Sequence, residues 1–340
     1  MSKVYVGMSG GVDSSLTAAL LVEAGHDVTG VYMKNWTQDL PGMRCPWADD
    51  LADAKRVAVH LGIDFKVFDF EQEYKQKVVD YMIGEYRLGR TPNPDIMCNQ
   101  EIKFKLFLET ALEDGAEYVA TGHYARTKNG QLLLAEDSNK DQTYFLYRVT
   151  KQALEKTLFP LGDFTKPKVR EMAEERGLIT AAKKDSVGIC FVGQVGMREF
   201  LSNYVDTVPG DIIDRSNGKV LGRHDGAIFY TLGQRHGLDV GGGLPYYVVG
   251  KDMDSNEVYV STDLNDKSLW QNTINLNSIH WIDTLYEGEC LIRVRHRAPL
   301  IKAVIRDSIL YLDEAERAVT PGQSVVIYKE NHCLGGGIVQ

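Results

Sequence analysis

The sequence predicts an α/β protein with a parallel sheet in its N-terminal part and a β-rich region behind it. Strand-like and helix-like segments alternate from Val4 to Thr121, which is typical of a parallel sheet with helices on both faces. From Val208 onward, short strand-like runs are separated by turn sequences such as Ser216-Asn217-Gly218. Helical periodicity almost disappears there, so we expect all-β structure up to the end of the chain.

The opening strand begins near Val4 and leads into a glycine- and serine-rich loop. Apolar periodicity then predicts strands and helices in alternation, and a polar, proline-containing loop at Gly89–Asn99. The predicted strands are Val28–Met33, Phe65–Phe70 and Tyr118–Thr121, and the predicted helices are Ala48–Leu61, Glu71–Leu88, Ile102–Leu112, Lys166–Arg176 and Met197–Tyr204.

The length of the chain predicts more than one domain. It has 340 residues, which is long for a single domain, so we expect two or three. The change of pattern places one boundary near Val205–Gly210, and a less distinct one lies near Asp263–Gln271.

Composition limits the class of protein. The net charge of −9 argues against a general nucleic-acid binder, so any nucleic-acid surface must be a local basic patch. We see neither a signal-peptide pattern nor an apolar run near the roughly 18 residues of a membrane span. Five cysteines, an odd number, do not suggest a disulfide framework, and a reducing cytoplasm is expected.

The segment Val4–Ser15 is a candidate phosphate-binding loop. Its glycines permit tight turns, and its serine hydroxyls lie beside the free N–H groups of a helix start, where an anion is favoured. It lacks the lysine of a Walker loop and the G-x-G-x-x-G pattern of dinucleotide sites. An ordinary strand-to-helix turn with a serine cap is the alternative. The run Ser-Gly-Gly-Val-Asp-Ser-Ser resembles the PP-loop of ATP pyrophosphatases, which split ATP into AMP and pyrophosphate.

Cys98 is a candidate reactive thiol in the proline-containing loop. If Asn99 caps the helix that follows, Cys98 would lie beside that helix start, which favours the thiolate. Asp95 lies in the same predicted loop as Cys98 and could exchange protons with a substrate there. A buried structural cysteine is an equally good interpretation of the residues alone.

Cys190 is the second candidate thiol. Lys183 and Lys184 would create a positive field that favours a thiolate, whereas the surrounding apolar run favours a packed core cysteine. Cys290 and Cys333 lie on strand-like runs and are expected to be packed, and Cys45 lies in a loop where it could be reactive. The spacing of the cysteines does not suggest a structural zinc site or a cluster of iron–sulfur ligands.

Several motifs together resemble one family, the tRNA-specific 2-thiouridylases. These are the PP-loop, Asn93–Asn99, Ala120–Tyr124, Asp137–Gln142, Gly188–Phe191, Thr320–Ser324 and Gly335–Gly337. The resemblance covers essentially the whole chain. It implies a PP-loop ATP pyrophosphatase catalytic domain at 1–205 (adenine nucleotide alpha hydrolase-like), a small β-rich central domain at 206–268, and a C-terminal β-barrel that contacts tRNA at 269–340.

The family's chemistry is ATP-dependent exchange of the C2 oxygen of the wobble uridine for sulfur. The resemblance implies that Cys190 receives sulfur as a persulfide from a donor protein of a sulfur relay. Cys98 then resolves the persulfide, leaving a Cys98–Cys190 disulfide, and Asp95 acts as the acid/base. ATP and Mg²⁺ are the implied cofactors, with Asp13 either near the Mg²⁺ or simply capping its helix.

The resemblance also implies binding residues. ATP contacts are expected from Gly7, Met8, Ser9, Gly10, Gly11, Val12, Asp13, Ser14, Met33 and Gly122. Target-base contacts are expected from Asn93, Pro94 and Asp95, and tRNA contacts from His123, Lys140, Asp141, Gln142, Arg295, His296 and Gln323. Base flipping is expected, because a stacked uridine cannot reach a buried thiol.

Two basic groups support an RNA role independently. Arg293, Arg295 and Arg297 alternate, so on a strand they would share one face and could follow a phosphate backbone. Lys166, Lys168 and Arg170 open a predicted helix. Both groups could equally be solvated faces. A PP-loop ligase of the amidotransferase kind and a non-catalytic RNA-binding protein remain the competing interpretations of the chain.

Overall fold

The protein folds into three sheets that follow one another along the chain. The computed structural model describes residues 1–39, 45–184, 196–241, 243 and 245–340. Within this part, no helix is long and apolar enough to cross a lipid bilayer.

The first sheet is parallel, as predicted, and its five strands include one, at Thr157–Leu158, that was not predicted. They are β1 (Lys3–Gly7), β2 (Asp27–Lys34), β3 (Asp64–Asp69), β4 (Tyr118–Ala120) and β7 (Thr157–Leu158), in the spatial order β3-β2-β1-β4-β7. The chain first adds strands on one side of β1 and then continues on its other side at β4. Ligands of such sheets bind at this reversal, outside the carboxyl ends of the strands.

Helices cover both faces of this sheet. Along β1, Val4 and Val6 pack into a cluster that contains Leu16, whereas Tyr5 packs into a second cluster that contains Phe107. Alternate residues of a strand point to opposite faces, so β1 is buried on both sides.

Four of the five predicted helices are confirmed to within two residues at each end, and the fifth begins earlier than predicted. The short helices at Thr143–Leu146 and Lys151–Glu155 were not predicted. The described part of the chain contains the following helices. They are α1 (Val12–Glu23), α2 (Trp47–Leu61), a helix at 71–87, a helix at 94–113 that we call the Cys98 helix, and shorter helices at Thr143–Leu146, Lys151–Glu155, Lys166–Glu175 and Met197–Ser202. The 71–87 and Cys98 helices include π-helical segments at Lys75–Val79 and Cys98–Leu106.

The Cys98 helix begins at Pro94, well before the predicted start at Ile102. The Asn93 side chain accepts hydrogen bonds from the backbone N–H groups of Asp95 and Ile96, which makes it the N-cap. Pro94 occupies the first helical position, where its missing N–H costs nothing. The predicted loop at Gly89–Asn99 was therefore wrong over its second half.

The central sheet has four strands. They are β8 (Gly210–Asp214), β9 (Val220–His224), β10 (Tyr247–Asp252) and β11 (Glu257–Ser261), in the order β10-β11-β8-β9. Short 3₁₀ turns lie at Ala227–Phe229 and Lys267–Leu269.

The C-terminal strands close into a barrel. They are β12 (Trp270–Trp281), β13 (Gly288–Arg293), β14 (Ile301–Arg306), β15 (Ile309–Arg317), β16 (Ser324–Lys329) and β17 (His332–Val339), and pairing of β12 with β17 completes the circle. β17 also pairs with β6 (Gln131–Leu133), which forms a hairpin with β5 (Arg126–Lys128) in the N-terminal part of the chain. This hairpin was missed because its strands are only three residues long.

Candidate functional site

The loop between β1 and α1 lies at the carboxyl edge of the parallel sheet. The backbone N–H of Ser9 donates to the Ser14 hydroxyl at 3.1 Å, and the Ser15 hydroxyl donates to the Gly11 carbonyl at 2.8 Å. Gly11 is the residue that precedes α1. Because no side chain at this position caps the helix, the first N–H groups of α1 remain available at a helix start, where an anion is favoured.

Two glycines allow the backbone to pack closely around this loop. Gly10 has φ +72°, and an added Cβ would lie 2.3 Å from the Asp50 carbonyl oxygen. At Gly122, which follows β4, an added Cβ would lie 2.8 Å from the backbone N of Ser14. A larger residue could enter neither position without displacing backbone.

Met33 also lies at this edge, since its methyl carbon would be 3.0 Å from a Cβ at Gly7. The structure therefore brings Gly7, Met33 and Gly122, which are distant in sequence, around the loop that the resemblance assigns to ATP.

Asp13 is held by two partners from distant parts of the chain. Both of its carboxylate oxygens lie 2.7 Å from Lys166 Nζ, and Tyr124 OH donates to Oδ1 at 2.8 Å. Lys166 is only 7% exposed. Asp13 therefore does not cap its own helix. It forms a largely buried ion pair that fixes the first turn of α1 to the start of the Lys166–Glu175 helix.

This arrangement of Asp13 does not fit a Mg²⁺ ligand. A carboxylate that accepts three hydrogen bonds, two of them from an ammonium group, has little capacity left to coordinate a metal ion. Among the residues that the structure describes, no cluster of three or more His, Cys, Asp and Glu side chains could hold one.

Lys183 also contacts the loop, although the sequence suggested a different role for it. Its ammonium group lies 3.0 Å from the Gly10 carbonyl oxygen, 2.8 Å from Asp50 and 2.7 Å from Asp53. Because two carboxylates compensate its charge, it is a poor source of the positive field expected at Cys190. Cys190 itself lies outside the described residues.

Cys98 lies in the second turn of its helix and is 4% exposed. The prediction that Asn99 caps the helix, leaving Cys98 at the helix start, was wrong. The Asn99 side chain instead donates to the Phe145 carbonyl at 3.0 Å. Cys98 is also the first residue of the π-helical segment, an irregularity that is frequent at functional sites.

Asp95 lies three residues before Cys98, on the same side of the helix. Burial raises the pKa of its carboxyl above the ordinary value, and the opposing effect of the Lys103 charge is smaller. A carboxyl group that is neutral closer to physiological pH is suited to proton transfer. The location of Asn93 at the N-cap fixes the first turn on which Asp95 sits.

Among the residues expected to contact tRNA, two are deeply buried. His123 is 8% exposed, packs against Phe104 at a ring distance of 5.5 Å, and burial lowers its pKa well below the ordinary value. Asp141 is 2% exposed and its carboxylate lies 3.3 Å from Arg293. In this conformation, both side chains contribute to packing inside the protein.

The other expected tRNA contacts lie in or beside segments through which the barrel packs on the N-terminal part. Lys140 and Gln142 are half-buried, and the Gln142 side chain accepts a hydrogen bond from Tyr124 N at 2.9 Å. The His296 ring lies 4.5 Å from that of Phe145, and burial lowers the pKa of His296 to about 4. Gln323 is half-buried in the same region, and Arg295 is exposed beside Glu316.

The predicted three-arginine face was wrong. β13 ends at Arg293, so the alternation does not continue to Arg295 and Arg297. Arg293 is buried and lies over the Tyr328 ring, whereas Arg297 has φ +64° in a turn. The second basic group is also divided, because Lys166 pairs with Asp13 and Lys168 with Glu171.

All three parts of the chain meet at the segment before the Cys98 helix. The backbone N–H of Thr91 donates to the Pro321 carbonyl of the barrel at 2.9 Å. Its hydroxyl lies 3.2 Å from that of Thr231 in the central part. Gly322, with φ +88°, packs so closely that an added Cβ would lie 2.9 Å from Thr91 N. The barrel and the central sheet therefore fix the approach to Asp95 and Cys98.

Sequence reasoning missed this junction and the partners of the loop. Lys166 had been assigned to an RNA-binding group and Lys183 to the thiolate field. The available signal was charge: a partly buried aspartate in this loop is stabilised by a cation, but the sequence does not show which lysine supplies it.

The remaining described cysteines are packed. Cys290 and Cys333 are buried, as expected, and burial raises the pKa of Cys290 to about 11. The expectation that Cys45 could be reactive was wrong, because Cys45 is buried and this raises its pKa.

Three family models match successive parts of the chain. They are described as the tRNA methyl transferase HUP domain (residues 2–194), the tRNA methyl transferase PRC-barrel domain (residues 198–262) and the aminomethyltransferase beta-barrel domain (residues 271–339). The first of these models alone covers more than half of the chain.

Full-length relatives carry one name, tRNA-specific 2-thiouridylase MnmA. The chain is 47% identical to the relative from Haemophilus ducreyi, with 99% of this chain and 92% of the relative covered. It is 46% identical to that from Bacillus subtilis (99% and 95%) and 46% identical to that from Legionella pneumophila (100% and 98%).

A solved structure of a 4-thiouridine synthetase–RNA complex with bound ATP is more distant. It is 16% identical, with a TM-score of 0.40, and the match covers 59% of this chain and 50% of that one. The identity and coverage of the full-length relatives are decisive: the chain belongs to the tRNA-specific 2-thiouridylase family.

Proposed function

We propose that this protein catalyses the ATP-dependent 2-thiolation of the wobble uridine in tRNA anticodons. The proposal rests on one observation: over nearly its whole length, the chain is 46–47% identical to relatives named tRNA-specific 2-thiouridylase. The chain's own residues supply the parts that such a reaction needs. An anion-binding loop lies at the sheet edge, and a desolvated acid lies one helical turn from a cysteine.

ATP activates the oxygen that has to leave. The C2 oxygen of uridine attacks the α-phosphorus of ATP, pyrophosphate departs, and the oxygen becomes part of an AMP leaving group. The first N–H groups of α1 and the Ser9 hydroxyl face the phosphates. Asp13, fixed by Lys166 and Tyr124, keeps that turn of α1 in place. Mg²⁺ would accompany ATP, and no step depends on Asp13 as its ligand.

Sulfur reaches the base through the two cysteines. A donor protein of a sulfur relay transfers a sulfane sulfur to Cys190 as a persulfide. Its terminal sulfur attacks C2, and AMP leaves with the bonding electrons. Cys98 thiolate then attacks Sγ of Cys190, so that the S–S bond to the base sulfur breaks and a Cys98–Cys190 disulfide forms. Two electrons from a cellular reductant restore the thiols, which suits a cytoplasmic location.

The described residues on either side of Cys190 support this role. Lys183 contacts the Gly10 carbonyl at 3.0 Å. On the other side, the Phe200 ring lies 6.3 Å from that of Trp36, which belongs to the same apolar cluster as Cys98.

Asp95 moves the proton in this mechanism. It shares a helix side with Cys98, and Asn93 and Pro94 before it would contact the flipped base. The raised pKa of its carboxyl allows it to take a proton from the Cys98 thiol or the uridine N3 and to return it. The tRNA itself would bind along the contact between the barrel and the catalytic part, near Gln142, His296 and Gln323.

Mass spectrometry of tRNA nucleosides tests the proposal. Cells that lack the gene should lose 2-thiouridine, and the wild-type gene should restore it. Cys98→Ser and Cys190→Ala should each reduce thiolation about 10³-fold or more, the loss typical of a removed nucleophile. Cys290→Ala, which removes a buried thiol of the barrel, should restore it within about twofold.

Unchanged 2-thiouridine in the deleted strain would refute the proposal. Full activity of both cysteine variants would instead favour a PP-loop ligase of the amidotransferase kind, which needs no pair of thiols. A failure of the purified protein to release pyrophosphate from ATP in the presence of tRNA would favour a non-catalytic RNA-binding protein.

A further inference from the structure

Lys183 connects the PP-loop to α2 at a point where the backbones of Gly10 and Asp50 pack closely together. Its ammonium group bonds the Gly10 carbonyl oxygen at 3.0 Å and the carboxylates of Asp50 and Asp53 at 2.8 and 2.7 Å. An ammonium group has three donors, and these contacts use all of them. The side chain is thus held in one orientation by two elements, although a third of it is exposed.

The carbonyl that Lys183 bonds belongs to the most constrained residue of the loop. Gly10 has φ +72°, and the Asp50 backbone lies against its α-carbon. Rotation of the Gly10 peptide would also rotate the adjoining N–H group, which belongs to the set that faces an anion. A bond to that carbonyl therefore fixes the direction of donors in the loop.

We propose that Lys183 is a positioning residue of the PP-loop, which acts on ATP binding by anchoring the Gly10 peptide to the carboxylates of Asp50 and Asp53. This inference rests on the proposed use of ATP. It assigns to Lys183 a geometric role in the nucleotide half of the site, distinct from the thiolate field first suggested by its sequence neighbourhood.

A simple electrostatic role is the rival explanation. Lys183 could attract the phosphates merely as a nearby positive charge, and Asp50 and Asp53 would then repel them. The two explanations make opposite predictions for the anchors. If Lys183 positions the loop, removing the two carboxylates weakens ATP binding. If Lys183 acts only through its charge, removing them strengthens ATP binding.

Arg56 provides a matched control. It bonds Asp53 at 2.9 Å, is 67% exposed, and makes none of the contacts with Gly10 described for Lys183. Arg56→Met removes one positive charge from the same carboxylate and leaves the anchor of the loop intact.

The experiment measures pyrophosphate release by the full-length protein with tRNA at varied ATP. Lys183→Met should raise KM for ATP roughly tenfold, the loss expected from one charge-assisted hydrogen bond. At saturating ATP, kcat should stay within about twofold. Arg56→Met should leave KM within about twofold, and Lys183→Arg should give an intermediate value, since it keeps the charge with different geometry.

The double variant Asp50→Ala with Asp53→Ala separates the two explanations, and it also serves if Lys183→Met does not fold. A raised KM for ATP, despite the loss of two negative charges, supports the positioning role. A lowered KM, or equal effects of Lys183→Met and Arg56→Met, overturns it. If the wild type releases no pyrophosphate, the proposed function fails. If the wild type is active and Lys183→Met matches it, only this inference fails.

Discussion

The PP-loop and the Cys98 helix differ in whether their charged side chains have partners of opposite charge. At the loop, partly buried charges are paired: Asp13 with Lys166, and Asp50 and Asp53 with Lys183. On the Cys98 helix, Asp95 is desolvated with only the weak opposing influence of Lys103, and burial raises its pKa. The first region is built for a fixed shape, whereas the second retains a group whose charge can change.

The difference predicts opposite effects on stability. Removing a charge from the paired region should destabilise the fold, because its partner is left uncompensated. Removing the charge from Asp95 should stabilise it, because a desolvation cost disappears. Sites that need a perturbed acid often sacrifice stability in this way.

Among the substitutions that compare these two regions, Asp95→Asn should have the largest effect on activity. We expect thiolation to fall about 100-fold or more, because a neutral amide cannot transfer the proton. At pH 7, the free energy of unfolding should rise. A carboxyl with a raised pKa in the folded state binds more protons there, so wild-type stability falls as pH increases from the ordinary pKa to the raised one.

Urea unfolding at several pH values measures this slope. Asp114→Asn is the matched control, because hydrogen bonds from Lys66 and Tyr5 lower the pKa of that carboxyl. For Asp114 the sign is reversed: its stabilising contribution is present above the ordinary pKa and is lost as pH falls through the lowered one. Loss of stability in Asp95→Asn at pH 7 would contradict the comparison.

Lys166→Met should act on the paired region in the other direction. Asp13 would remain with the Tyr124 hydroxyl but without its cation, and we expect the free energy of unfolding to fall by about 2 kcal/mol. Asp13 is one third exposed, so the full cost of a buried unpaired charge does not apply. Chemical denaturation provides the measurement.

Lys168→Met is the control, since Lys168 forms an exposed pair with Glu171. Its loss should change the free energy of unfolding by less than about 0.5 kcal/mol. If the two lysine variants were equally stable, the Asp13–Lys166 pair would have no special structural importance.

Gly322→Ala should have the smallest effect and would test the junction that supports the Cys98 helix. The added Cβ would meet Arg90 and Thr91, so we expect a several-fold loss in kcat/KM for tRNA and a loss of about 1–2 kcal/mol in stability. Gly25→Ala is matched in backbone strain, with φ +81°, but its Cβ would enter open space. Equal effects of the two substitutions on tRNA kinetics would show that the close packing at Thr91 is unimportant.

The local features of the site could be predicted from the sequence. The strand, glycine loop and helix at Val4–Ser15 form one continuous pattern, and so do the alternating elements behind it. The start of the Cys98 helix was also present in the sequence, as Asn93 followed by Pro94. It was missed because two prolines in one segment suggested a loop.

The long-range pairings could not be predicted. Lys166 and Lys183 lie more than 150 positions from the loop residues that they contact, and nothing in a local pattern distinguishes them from other lysines. The prediction that Arg293, Arg295 and Arg297 share one strand face was wrong for a related reason. Arg293 turns inward to Asp141, a residue from another part of the chain, and the strand ends there.

The pairing of β6 with β17 extends the sheet of the barrel into the N-terminal part of the chain. His332 pairs with Leu133, and Cys333 with Leu132. If the chain were cut before the barrel, the hairpin at β5 and β6 would present unpaired N–H and C=O groups to solvent, an edge prone to aggregation. The distal end of the polypeptide thus covers a strand edge that the N-terminal part would otherwise expose.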